Sequence, residues 1–444
     1  MATKLARTGT SSTNATKFTW SAWVKKSSTG TTQNFLANYL NGDNEAQLRF
    51  LDNEKLYYYD KDGGDLQAEV TTTAVYRDCN AWYHICLIGD TTDGTQGDRI
   101  QLYVNGVRQT MTGTYPDAND SLGMKVATGT NQHAIGTAGN STSNPFSGVM
   151  SHVHYVDGID YPATTFGSTD ATTGEWKINT SPSITTANYG NNGYFILKDT
   201  NSGTDQSGNS HNLTVTSGTL TKTEDCPSNV FATWYADSFD KGNQVSFSNG
   251  NTTTVDAGNT SDYDPKAWTT FGANAGKYYC EMKLTAFATN RSYRAGVWFT
   301  EGNFSHEANA NCFSGVKYTT TGDAVTIYSF GSDVQSSLAS FSAGDILGVA
   351  VDIDNGTIQY YRNGATYGSQ ITGLSSNFSG KSMMFCHTGE AGAGRTFTVD
   401  ANFGNGYFGT TAVSSAGTNA SGIGIFEYDV PSGYTALSTK GLNE

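Results

Sequence analysis

Proline is scarce in this 444-residue chain, with 7 against 51 glycines, and charged residues make up only 15% of it. Helices draw on Glu, Lys, Leu and Ala, so the shortage of charge leaves strands joined by glycine turns as the main material. Basic charge is the second shortage: 26 Lys and Arg face 40 Asp and Glu, a formal net charge of −14. A polyanionic backbone is bound through clustered cations, so nucleic acid is excluded as a partner. No apolar run reaches the length of a membrane span, and the opening MATKLARTGTSSTNATK holds no signal-peptide core. That predicts a product made in a cytosol, without membrane insertion. The six cysteines form no C-x-x-C pair, which predicts reduced, mostly buried thiols. A GxSxG elbow, a phosphate-binding loop ahead of a helix and a coiled-coil heptad are missing as well.

What is present is β-pattern. In GDILGVAVDIDNGTIQYYRNG, Gly344 to Gly364, residues Leu347, Val349, Val351 and Ile353 alternate with smaller or polar ones. Asp354-Asn355-Gly356 supplies a turn, an aromatic strand returns, and Asn363-Gly364 turns again, the signature of an antiparallel meander. Trp82 to Gly106 repeats the plan, ending LYVNG where the later copy ends YYRNG. Phe18, Trp20, Ala22 and Val24 share one face of an early core strand, with Trp23 on the other. Two arms of a further hairpin flank Asp52-Asn53-Glu54. The length exceeds what one core usually serves. The expected fold is all-β, two tandem antiparallel β-sandwiches of jelly-roll type. Their expected bounds are 1–200 and 241–444, with a Ser/Thr/Asn-rich connector over 201–240.

Several constellations carry candidate chemistry, each with a structural alternative. Tyr57 and Tyr59 face together on a strand, and flat aromatic faces suit the apolar faces of sugar rings; tyrosine is equally a favoured strand residue. Asp90, Asp93 and Asp98 in one loop, and Asp199 with Asp205, offer oxygen ligands for calcium, against the ordinary use of Asp in turns. His152 and His154, with Asp157 nearby, have the spacing of a metal pair, or of a solvent-facing strand surface. Retaining glycoside hydrolysis needs two carboxylates about 5 to 5.5 Å apart. Glu281 stands alone, and Asp352 and Asp354 flank a hairpin turn, so no catalytic residue is expected.

GKYYCEMKL at Gly276, AGVWF at Ala295, the Gly344 to Gly364 hairpin and ANFG at Ala401 resemble a SPRY domain, a concanavalin-like sandwich used for recognition. FTWSAWVKK at Phe18, AWYHICLIGDTTDGTQGDRIQLYVNG at Ala81 and FSGVMSHVHYVDG at Phe146 resemble a laminin-G/concanavalin-type lectin-like domain. The tandem, with FGSTDATTGEWK, DQSGNSHNLT and PSGYTAL, is similar to virion proteins of marine bacteriophages. The chain departs from them by a Gly/Ser/Thr/Ala-rich segment, Thr410 to Gly424, ahead of the last strand. The resemblance implies a non-enzymatic tail fibre or other appendage, located in the virion, that binds a host-surface glycan or protein during adsorption. Other virion proteins are the implied partners, and self-association, as a trimer in many appendages, is implied too. By the same analogy Arg291 and Arg294 fall where SPRY-like modules vary their binding loops. The alternatives are a capsid decoration or head-fibre protein without a receptor, and a polysaccharide depolymerase.

Overall fold

The computed structural model describes residues 2–79, 81–124, 132–198, 202–235, 245–256, 265–287, 292–300, 312–319, 325–389 and 397–443. The chain divides into two compact units, Met1–Lys222 and Thr223–Glu444. Of the expected connector, residues 202–222 therefore belong to the first unit and 223–235 to the second. Both units are antiparallel β-sandwiches, and among the described residues each pairs an eight-stranded with a six-stranded sheet.

In the first unit the large sheet runs, in spatial order, Met111–Thr114, Asp65–Thr72, Leu56–Asp62, Asn44–Phe50, Gln33–Asn41, Gln132–Ile135, Lys4–Thr8 and Thr214–Ser217. The small sheet runs Tyr194–Ile196, Gly148–Asp157, Lys17–Lys26, Tyr83–Asp90, Ile100–Val104 and Val107–Arg108. Period-2 alternation turns Phe18, Trp20, Ala22 and Val24 into the core against Leu48, Phe50, Leu56 and Tyr58 of the opposite sheet. Trp23 faces outward, its ring 5.2 Å from that of His84.

The outer side of the small sheet is covered over its central strands. Ala163 and Phe166 pack on Cys86 and Ile88, and Tyr189 packs with Val156 and Phe195. Trp176 Nε1 donates to His84 Nδ1 at 3.1 Å, so the neutral ring carries its proton on Nε2 and donates it to Ser21 Oγ at 2.9 Å. Burial holds His84 far below the usual imidazole range, at about 3.

The second unit repeats the design. Lys277–Phe287 lies centrally in its large sheet, flanked by Phe397–Asn402 and by Ile346–Asp352, which continues into Thr357–Arg362 and Ala365–Ile371. Thr435–Ala436, near the C-terminus, pairs in parallel with Lys277–Phe287. The small sheet centres on Ser382–Gly389, Ser292–Thr300 and Phe313–Thr319.

The two expected hairpins form as drawn, and their turns match closely. Asn105 and Gly106 adopt φ of 48° and 76°; Asn363 and Gly364 adopt 49° and 77°. Both are positive-φ pairs whose twist suits a hairpin. Each turn asparagine accepts a backbone N–H through Oδ1, from His84 in one unit and Ile346 in the other, both at 2.8 Å. Each turn glycine is roofed by an aromatic ring, Trp176 over Gly106 and Tyr428 over Gly364. A Cβ at Gly364 would stand 2.5 Å from the Tyr428 ring. Gly364→Ala is therefore expected to lower the second unit's stability by roughly 1–3 kcal/mol, through strain at positive φ and displacement of that ring, read as a fall in its denaturation midpoint.

Candidate functional site

The outward face of the first unit's large sheet is divided in two. Directly paired residues of antiparallel strands point to the same side, so Glu69, Tyr59, Gln47, Ala37, Ala134 and Ala6 form one row across the sheet. At one end the three alanines are buried together, and Lys4 Nζ ties the 137–145 loop over this side through the Gly139 carbonyl at 2.6 Å. At the other end Gln47 and Tyr59 are half-buried and Glu69 is exposed. The uncovered area thus lies on the strands Asn44–Phe50, Leu56–Asp62 and Asp65–Thr72.

Tyr57 and Tyr59 form its centre, their rings 6.5 Å apart and within 10° of parallel. The expected pairing of these two side chains on one face is what the structure has. Arg49 lies over Tyr57, 4.7 Å from the ring centroid, and donates from Nη1 to Gln47 Oε1 at 3.1 Å. Gln47 in turn donates to Glu45 Oε2 at 3.3 Å. The Tyr57 hydroxyl donates to Glu69 Oε1 at 2.8 Å, and burial, then this carboxylate, push its pKa up to about 12. It stays protonated as a donor. Arg49 and Glu69 were not singled out in the sequence. Their i, i+2 spacing with Gln47 and Gln67 was the available signal, and only strand register brings them beside Tyr57.

The other expected site residues fall elsewhere. Arg294 lies inside the strand Ser292–Thr300, not in a loop, with its guanidinium 4.7 Å from the Tyr328 ring centroid. Pairing with Lys317 on one neighbouring strand and Thr388 on the other carries the strand through it, which corrects the loop expectation. Arg291 and Asp199 lie outside the described residues. Asp90, Asp93 and Asp98 share a loop region but do not converge. Asp90 pairs with Lys17 at 2.7 Å, Asp93 accepts the Thr95 N–H at 2.7 Å, and Asp98 pairs with Arg108. Asp205 accepts the N–H groups of Phe195, Ser207 and His211, a loop-organising role. Among the described residues no group of three or more His, Cys, Asp or Glu is placed to hold a metal ion.

His152 and His154 depart from both readings made of them. A bulge between Ser151 and His154 puts His152 at φ 49°, and both rings are buried. His154 stacks on Phe195 at 3.9 Å and its Nδ1 meets the Tyr189 hydroxyl at 2.8 Å. The covering segment 159–196 hides a surface that alternation alone makes look solvent-facing.

In the second unit Glu281 is fully buried. It accepts the N–H groups of Glu427 and Tyr428, both at 2.9 Å, with Asn402 Nδ2 and the Tyr279 hydroxyl each at 3.3 Å. These bonds hold the C-terminal segment on the sheet, where Phe426, Val430 and Ala436 pack on Tyr279 and Ala350. Asp352 and Asp354 are likewise structural, bonded to Asn355 and Lys277 and to the Gly276 N–H respectively.

Residues 2–159 match the family described as the concanavalin A-like lectin/glucanases superfamily. The search of curated proteins found no match. Among solved structures the chain is similar to the PSpry domain of TRIM65, at 15% identity and a TM-score of 0.29, over 38% of this chain and 88% of that one. It is similar also to the SPRY domain of human HERC1, at 17% identity and a TM-score of 0.27, over 35% and 91%. A third is a native heptameric SAP-like pentraxin from Limulus polyphemus, at 13% identity and a TM-score of 0.27, over 36% and 72%. Over residues 2–159 the first unit is therefore similar to the concanavalin A-like lectin/glucanases superfamily.

Proposed function

We propose that this chain is a non-catalytic glycan-binding protein, and that the uncovered half of the first unit's large sheet is its binding face. The observation that carries the reading is the pair Tyr57 and Tyr59, parallel and buttressed by Arg49, on a part of the sheet that no described segment covers. Buttressing fixes the rings before a ligand arrives and so lowers the entropy cost of stacking on them. The family match over residues 2–159 supports the same reading.

The described carboxylates support a non-enzymatic role. Glu45 and Glu69 lie on the strands either side of Tyr57 and Tyr59, and Glu281 is committed to the C-terminal segment. Neither arrangement is a cleft with two facing acids. The placement in a phage virion appendage, with host-surface glycan as the target and other virion proteins as partners, rests on the sequence resemblance and belongs to this proposal, as does self-association.

The test is the Tyr57→Ala/Tyr59→Ala double variant. It is expected to lose binding to host envelope polysaccharide by tenfold or more, about 1.4 kcal/mol, while its melting temperature moves little. Unchanged binding would remove the face from consideration. Release of reducing ends from the polysaccharide by the native chain would replace the adhesive reading with the depolymerase, and antibody labelling of particles locates the protein on tail or capsid.

A further inference from the structure

Resting on that reading, we infer that the face selects an uncharged, hydroxyl-rich glycan chain and rejects acidic ones. Both cations on the face are spent. Arg49 is committed to the Tyr57 ring and to Gln47, and its Nε–H, which has no partner among the described residues, is buried out of a ligand's reach. Lys61 donates to the Gly42 carbonyl at 3.0 Å and stands 3.5 Å from Asp43.

The groups left over accept hydrogen bonds. Glu69 uses Oε1 for Tyr57, and Glu45 uses Oε2 for Gln47; among the described residues each keeps its second oxygen without a partner. The Tyr59 hydroxyl has no hydrogen-bond partner among them either, and it can donate or accept. Sugar hydroxyls supply donors to such oxygens, and charge-assisted bonds of this kind are stronger than neutral ones. A uronate or sialate carboxylate brings acceptors only, against two carboxylates that each present an unpartnered oxygen, on a chain of net charge −14. Like charges juxtaposed at an interface act as the element that excludes a partner.

The distinction from the parent reading is experimental. The full chain is applied to an array of matched neutral and uronate-containing or sialylated oligosaccharides at physiological salt, beside Tyr59→Ala and Glu45→Gln/Glu69→Gln. The expected result is retention of neutral chains only, reduced at least tenfold by Tyr59→Ala. The double glutamine variant is expected to weaken neutral binding and to gain binding of acidic chains. Acidic chains bound by the native protein and lost in Tyr59→Ala would overturn the charge inference while leaving the glycan face standing. Binding to no chain, or binding indifferent to Tyr59→Ala, would overturn both.

Discussion

Lys26→Ala is expected to destabilise the first unit by about 3–5 kcal/mol, read in calorimetry as a fall in that unit's melting transition. Lys26 is fully buried at the end of the strand Lys17–Lys26, and its ammonium pairs with Glu54, whose side chain is 5% exposed. It also donates to the Tyr76 carbonyl at 3.1 Å and lies 4.3 Å from the Phe50 ring centroid. Glu54 occupies the turn between two strands at φ 68° and accepts the Gly30 N–H. One ion pair therefore joins three segments of the unit. Removing the lysine leaves a carboxylate in the interior with no counter-charge. The shape-conserving double variant Lys26→Met/Glu54→Gln is expected to recover most of the loss, since it removes both charges and keeps a carbonyl for Gly30. A single variant as stable as the native protein would show that water reaches the site.

Glu281→Ala is expected to cost the second unit about 2–4 kcal/mol and to release its C-terminal segment to proteolysis within 423–437. The loss combines a cavity with two backbone N–H groups stripped of their acceptor. The same residue fixes a pH dependence. Burial outweighs four hydrogen bonds and raises the carboxyl to about 7. The folded state thus holds a proton that the unfolded chain, with an ordinary glutamate near 4.3, gives up. Its contribution is fully present below the unfolded value and is lost as pH rises through about 7. Over that window it amounts to roughly 4 kcal/mol at 1.36 kcal/mol per pH unit. Asp345 and Asp352 act in the opposite sense, since their pKa values are lowered, but their effect falls below the ordinary aspartate range. The check is the melting temperature of native protein and Glu281→Gln between pH 5 and 8. The native unit is expected to fall relative to the variant as pH rises; parallel curves would show that the carboxyl titrates normally.

Strands with strong alternation were legible in the sequence, and so were their turns. The Gly344 to Gly364 hairpin and its counterpart ending at Gly106 needed only apolar period 2 and Asn-Gly. Lys4–Thr8 and Thr214–Ser217 were not legible. They pair with each other at one edge of the large sheet, and Thr-Val-Thr-Ser has no apolar face to advertise a strand. Tyr57 and Tyr59 were legible as a pair because i, i+2 on a strand suffices. Arg49 and Glu69 come from neighbouring strands, where register rather than spacing decides. Burial of His152 and His154 depends on a covering segment with little regular structure, and Glu281 owes its role to a segment nearly 150 residues later. Long-range closure of this kind leaves no local pattern.

The matched Asn-Gly turns also set a chemical lifetime. Asparagine followed by glycine is the pair in which the next backbone nitrogen, unhindered by a side chain, most readily attacks the side-chain amide, expelling ammonia and closing a succinimide. Hydrolysis returns aspartate or isoaspartate. At Asn105 and Asn363 the product alters the side-chain oxygen that receives the N–H of His84 or Ile346, and isoaspartate lengthens the main chain of a two-residue turn by one carbon. The residues best fitted to positive φ are thus also open to this chemistry, and mass shifts of one dalton at Asn105 and Asn363 in stored protein would mark the loss of each hairpin turn.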